Sequence, residues 1–119
     1  MLINLSNHPS TAWQPEQIQA AATYGNIVDL PFPDVDANEN EEYIRQLADI
    51  YLGKVKSIAG IDQATIHLMG EMTLTMSLLK RLQKEGYTCI ASTAQRVVTE
   101  LPDHKTIKTF RFVRFRQYE

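Results

Sequence analysis

Ser92, Thr93 and Arg96 follow an apolar run and offer two hydroxyls and a planar guanidinium, groups that hold a phosphate or a ribose. A serine nucleophile would also need a base and an orienting acid, and no nucleophile-elbow motif surrounds Ser92. The hydroxyls therefore read as donors to a ligand or simply as turn formers. His8 carries an imidazole that titrates near neutral pH, so it either structures its loop or contacts a ligand and moves a proton. Gly70 sits where the run Thr65-Ile66-His67-Leu68-Met69 breaks toward a helix. A glycine there lets a ligand approach the backbone, and the free N–H groups of a first helical turn favour an anion. Gly70 also suits a tight turn alone, and Glu71 repels a polyphosphate unless its carboxylate points away.

Metal chemistry and bound cofactors are not expected. No two histidines stand at metal-ligand spacing, and the single Cys89 excludes a disulfide framework and a cysteine-based zinc site. Cys89 lies in an apolar run and reads as a buried, inert thiol. His67 is mid-strand and reads as packed or sheet-facing, and His104 as solvated at a hairpin tip.

The elements that must position these groups follow from periodicity and breakers. Met1 to Leu5 reads as a buried first strand, followed by the polar loop Ser6 to Thr11. Pro15 suits the start of a helix ending at Gly25, with Ile18, Ala21 and Ala22 as a thin apolar face and Trp13 covering its entrance. Asn26 to Leu30 is a second strand stopped by Pro31 and Pro33. From Glu41, apolar residues at Ile44, Leu47, Ala48, Tyr51, Val55 and Ile58 predict the longest helix, stopped by Gly60. Gln63 to Met69 is a third strand, and Leu74 to Glu85 a third helix with a Leu74, Leu78, Leu79, Leu82 stripe. Tyr87 to Ala91 is a fourth strand closing on a polar loop, Ser92 to Arg96. Arg96 to Leu101 and Thr106 to Tyr118, joined by Pro102-Asp103-His104-Lys105, form a C-terminal β-hairpin. Strict alternation in the last strand puts Phe110 and Phe112 on one face with Arg114 and Arg116, and Arg111, Val113 and Phe115 on the other. Arginine beside aromatics suits nucleic-acid backbone and bases, or an edge strand guarded by charge.

The pattern is that of an α/β fold with a mainly parallel sheet of order 2-1-3-4 flanked by helices. With 119 residues, 44% hydrophobic and 22% charged, residues 1–119 form one domain with one core. Ligands of such sheets bind beyond the carboxyl ends of the strands, at the switch point between strands one and three. Three polar loops are expected to converge there: Ser6 to Thr11 with Asn7 and His8, Gly70 to Thr73, and Ser92 to Arg96. A net charge of −2 singles out no partner class, but Lys105 to Glu119 is locally basic and Asp34 to Glu42 acidic. No signal peptide, lipidation motif or apolar run near membrane-spanning length is present, which fits a reducing cytoplasm.

Ile3-Asn4-Leu5-Ser6-Asn7-His8-Pro9, His67-Leu68-Met69-Gly70-Glu71-Met72-Thr73, Ile90 to Val98 and Phe110 to Tyr118 together resemble small CRISPR-associated proteins of the CARF type. These are stand-alone Rossmann-like domains of type III CRISPR systems, several of them ring nucleases that cleave cyclic oligoadenylate messengers. The resemblance implies a homodimer whose two crevices hold one ring, with no membrane and no DNA partner. It also implies metal-independent cleavage, in which a ribose 2′-hydroxyl attacks the adjoining phosphate. The backbone after Gly70, with Ser92, Thr93 and Arg96, would stabilise the growing charge, and His8 would move a proton. Ser6, Asn7, Glu71, Met72, Thr73, Gln95 and Arg114 are the remaining expected ligand contacts. The alternatives are a non-catalytic CARF-like sensor or sponge for such a ring, and a small α/β protein that recognises another nucleotide or only pairs with a partner.

Overall fold

The computed structural model describes residues 1–119 as an α/β protein with three helices and one five-stranded mixed sheet. The strands are β1 Leu2–Ser6, β2 Ile27–Asp29, β3 Thr65–Met69, β4 Thr88–Glu100 and β5 Thr106–Gln117. They lie side by side as β2-β1-β3-β4-β5; β1 to β4 are parallel and β5 runs antiparallel to β4. The helices are α1 Pro15–Ala22, α2 Glu41–Ala59 and α3 Met72–Lys84.

Alternation along the central strands divides the core. Ile3 and Leu5 of β1, Ile66 and Leu68 of β3 and Cys89 of β4 pack on one side against Ala48, Val55 and Ala59 of α2 and the Leu74, Leu78, Leu79, Leu82 stripe of α3. On the other side Leu2, Ile90, Phe112 and Phe115 meet Trp13 and Ala21. That second apolar cluster is small because the middle of its face is polar: Asn4, Ser6 and His67 are all buried there.

Three expectations are corrected. Ser92–Arg96 is not a loop: β4 continues unbroken to Glu100, because β5 supplies hydrogen-bond partners along its whole length. β3 pairs with β4 only as far as Ile90, so the outer β4–β5 segment leaves the sheet as a two-stranded ribbon. The faces of β5 also differ from strict alternation. A bulge opposite Thr93 and Ala94 leaves Val113 without a partner, so Phe115 joins Phe112 on the α1 side. Finally, α1 ends at Ala22, and the tighter bonds Tyr24 N–H to Ala21 O and Gly25 N–H to Ala22 O close it off. Its inward face is Gln17 and Ala21, while Ile18 is exposed.

Gln14 joins the ribbon to α1. Its side-chain amide donates to Phe110 O at 2.8 Å and accepts from Phe112 N at 2.9 Å, taking the place of a neighbouring strand. On the opposite side of the sheet, Phe32 lies across Gly70, where an added Cβ would stand 2.5 Å from three ring carbons. Gly70 is therefore a close-approach residue for an aromatic ring. Gly70→Ala is expected to destabilise the fold by about 1–3 kcal/mol through overpacking. Chemical denaturation of Gly70→Ala, Phe32→Ala and the double variant checks this: the double variant should lose less than the sum of the single losses.

Candidate functional site

Asp29, Asn4 and His67 are lateral register partners on β2, β1 and β3, so their side chains form one row across the sheet. Asn4 Nδ2 donates to Asp29 Oδ1 at 2.8 Å and to His8 O at 3.0 Å. A carboxylate and a carbonyl can only accept, so the Asn4 amide has one orientation and its Oδ1 faces the other way. That oxygen lies 2.8 Å from His67 Nδ1 and takes the Ser6 hydroxyl at 2.7 Å. His67 Nδ1 must then carry the proton, and Nε2 is left as the acceptor in the neutral ring. Ser92 Oγ stands 2.7 Å from Nε2 and donates to it, while Gln17 Nε2 donates to Ser92 Oγ at 3.0 Å.

Burial keeps the imidazole neutral. His67 is 2% exposed and is flanked edge-on by Trp13 at 5.2 Å and Phe115 at 5.6 Å between ring centroids. Desolvation, with a smaller contribution from nearby His8, lowers its pKa to about 4. Burial alone would raise Asp29, but hydrogen bonds from the Asn4 side chain and from the Ser10 hydroxyl and N–H outweigh it and hold the carboxyl below its ordinary value. Cys89 is buried, which pushes its thiol up to about 12 and leaves it inert.

Beside this row opens a cleft of about 390 Å³, beyond the carboxyl ends of β1 and β3 and on the α1 side. Ser6, Asn7 and His8 form one edge, and Trp13, Gln14 and Gln17 form a second. His67, Met69, Ser92 and Thr93 lie against it from the sheet, and Ala94, Phe110 and Phe112 form the ribbon wall. A larger open depression of about 550 Å³ lies between the starts of α2 and α3. It is mostly lined by surface polar and charged groups of both signs, including Glu39, Glu41, Arg45 and Lys80, with no buried polar network behind it.

Of the residues singled out in the sequence, Ser6, Asn7, His8, Ser92 and Thr93 come together in the cleft. The Thr93 hydroxyl is engaged by the backbone of Arg114, accepting its N–H and donating to its carbonyl. Gly70, Glu71, Met72 and Thr73 do not line the cleft. The start of α3 is also closed to an anion, because Glu71 turns its carboxylate back onto the Thr73 and Leu74 N–H groups and the Thr73 hydroxyl. Those bonds, chiefly the Thr73 side chain, hold the Glu71 carboxyl below its usual range. Arg96 is paired with Phe110 across the ribbon, but it is exposed and does not line the cleft; Gln95 and Arg114 are exposed and outside the lining as well.

Sequence reasoning passed over Asn4 and Gln17 as site residues, set Phe110 only among the aromatics of the last strand, and left His67 as a packed residue. One signal was available. Asn4 and His67 each interrupt an apolar strand, Ile3-Asn4-Leu5 and Ile66-His67-Leu68, at positions that face the same side. Paired polar interruptions of central strands point to a shared buried network.

The fold and the cleft define a small α/β protein with one polar-floored, aromatic-walled pocket at the switch point of its sheet. Residues 1–116 match the family described as "Uncharacterized protein MJ1673 family", and the chain belongs to that family. No curated protein and no solved structure matches it.

The depressed His67 sets an acid limit on stability. Between the ordinary histidine value of 6.5 and about 4 the unfolded chain binds a proton that the folded chain refuses. The stabilisation is therefore complete above about 6.5 and is lost as pH falls toward 4, amounting to about 3 kcal/mol. Asp29 and Glu71 act in the same direction at lower pH, through the ordinary carboxylate range. Denaturant unfolding across this range should show stability beginning to fall already below the histidine value. A His67→Gln variant should hold a level stability until the carboxylates protonate.

Proposed function

We propose that this chain is a Rossmann-like protein of the CARF type that binds a cyclic oligoadenylate in the cleft between Trp13 and Phe110 and opens the ring without a metal ion. In that reading it is a cytoplasmic homodimeric ring nuclease that switches off type III CRISPR signalling. The observation that carries it is the lining of the cleft. Aromatic rings suited to stacking bases stand beside amide and hydroxyl groups suited to sugar and base edges, and no carboxylate lines it to repel phosphate. The resemblance of the strand ends and of the final hairpin to ring nucleases supplies the identity of the ligand. A ring with two-fold symmetry suits two copies of the same cleft across a two-fold axis. The ribbon has the character of a partner surface, with Phe110, Val98 and Ile107 exposed among Arg96, Lys108 and Arg111.

One observation favours binding without turnover, the reading as a sensor or sponge. No lysine or arginine lines the cleft, so one protomer alone brings no ammonium or guanidinium group beside a phosphate held there.

Incubation with cyclic tri-, tetra- and hexa-adenylate in EDTA separates the readings. Linear products ending in a cyclic phosphate are expected; a ring that binds in calorimetry and stays intact identifies a sensor or sponge; no binding of any ring removes the assignment. Phe110→Ala should weaken binding by about 1–3 kcal/mol if its ring stacks on a base, and Arg96→Ala should weaken it in a salt-dependent way.

A further inference from the structure

We infer that Ser92, backed by His67, is the base that takes the proton from a ribose 2′-hydroxyl in the cleft. This rests on the reading of the cleft as a cyclic oligoadenylate site and deepens it. The direction of the hydrogen bonds points to this role. Asp29 and the His8 carbonyl fix the Asn4 amide, Asn4 fixes the proton of His67 on Nδ1, and the bare Nε2 takes the hydrogen of Ser92. Ser92 has no hydrogen left to give. Toward the cleft it can act only as an acceptor, and a ligand hydroxyl placed there donates into the chain. Gln17 complements this: one of its side-chain N–H bonds goes to Ser92, and the second has no protein partner and is free to meet a ligand oxygen. A serine hydroxyl turned into an acceptor, with an imidazole lone pair behind it, is the arrangement of a proton relay.

The step balances without a co-reactant. The ribose O2′ forms a bond to the adjoining phosphorus as the P–O5′ bond breaks. The O2′ proton passes to Ser92 Oγ while the Ser92 proton passes to His67 Nε2, giving an imidazolium still donating from Nδ1 to Asn4. O5′ leaves as a hydroxyl by taking a proton from solvent at the rim beside His8, and His67 later releases its proton to solvent. Ser92 touches the substrate and is the catalytic residue; His67 and Asn4 act through it and are positioning residues. The charged or titratable groups around His67 are His8 on the loop after β1 and Asp29 at the far end of the row; the other groups against it, Trp13, Phe115, Asn4 and Ser92, carry no charge.

The test is single-turnover cleavage of cyclic tri-, tetra- and hexa-adenylate by the wild type, Ser92→Ala, His67→Gln and Asn4→Ala. Each is measured beside its calorimetric affinity, with circular dichroism to verify folding. Ser92→Ala and His67→Gln are expected to lose about 100-fold or more in rate with affinity near that of the wild type. The wild-type rate should be level through the neutral range, whereas the residual rate of His67→Gln should climb with hydroxide concentration, a change that a purely structural role would not produce. Cleavage that survives both substitutions, or a His67→Gln profile parallel to the wild type, overturns the relay and leaves the ring-nuclease reading standing. Rings that bind and stay intact overturn the relay and leave the binding reading standing. If no ring binds, both fall. Should Asn4→Ala fail to fold, the Ser92 and His67 variants decide the matter.

Discussion

An amide and an imidazole buried side by side in the middle of a sheet constrain more of this molecule than any apolar contact does. Leaving either unsatisfied would cost about 1–3 kcal/mol, so Asn4 and His67 are stable inside only if every donor and acceptor between them has a partner. The partners come from four places: Asp29 on β2, the His8 carbonyl and Ser6 hydroxyl at the end of β1, Ser92 on β4, and through Ser92 the Gln17 amide of α1. The row thereby fixes the register of neighbouring strands and the path of the loop after β1. It also fixes Trp13, whose indole N–H donates to the same His8 carbonyl at 3.0 Å and whose ring then covers His67. The floor of the cleft and its Trp13 edge are consequences of one polar requirement.

The opposite wall has a different origin. β4 outruns β3, and beyond Ile90 only β5 pairs with it, so the ribbon would stand free were it not tied to α1. A two-stranded ribbon is marginal in water without further packing. Gln14 supplies backbone partners, and the bulge at Val113 supplies packing by turning Phe112 and Phe115 to the same side, with centroids 5.0 Å apart. Phe115 completes the cage of His67, while Phe112 and Phe110 face the opening. One irregular residue thus links the dryness of the imidazole to the shape of the pocket.

Much of the fold was legible because it rests on local signals. The apolar runs of β1 and β3, the apolar periodicity of α2 from Ile44 to Ile58, the leucine stripe of α3 and the turn at Pro102 to Lys105 all write their structure into short stretches. What was not legible depends on partners distant in sequence. Ser92-Thr93-Ala94-Gln95-Arg96 has a loop's polarity, and only pairing with residues some twenty positions later makes it a strand. Phe115 changes sides because of a bulge that no composition marks. Gly70 suited either a phosphate turn or a tight turn alone, and the close neighbour it accommodates is the ring of Phe32. Of the site, the Ser6 to His8 loop and Ser92 with Thr93 were visible as polar residues at strand ends. His67 was discounted because a lone histidine in an apolar strand is usually packing, and its role emerges only when Asn4 and Ser92 are brought beside it.

The capping of α3 has a bearing on how charge is handled in the cleft. In many α/β proteins an anion at the switch point is held by the dipole and free N–H groups of the following helix. Here Glu71 occupies those groups with the chain's own carboxylate, so the start of α3 offers no free N–H groups to a phosphate. The arginines of the ribbon are exposed and outside the lining, and apart from His8 what faces the cleft is neutral: amides, hydroxyls, aromatic rings, and the His67 imidazole kept uncharged by burial. A neutral site discriminates by hydrogen-bond direction and by stacking more than by charge. Such a surface can select only by which atoms donate and which accept, and the chain's nearby arginines stand on the outer ribbon, where salt screens them. A ligand rich in hydroxyls, base edges and flat rings meets such a surface on favourable terms, whereas a small bare anion does not.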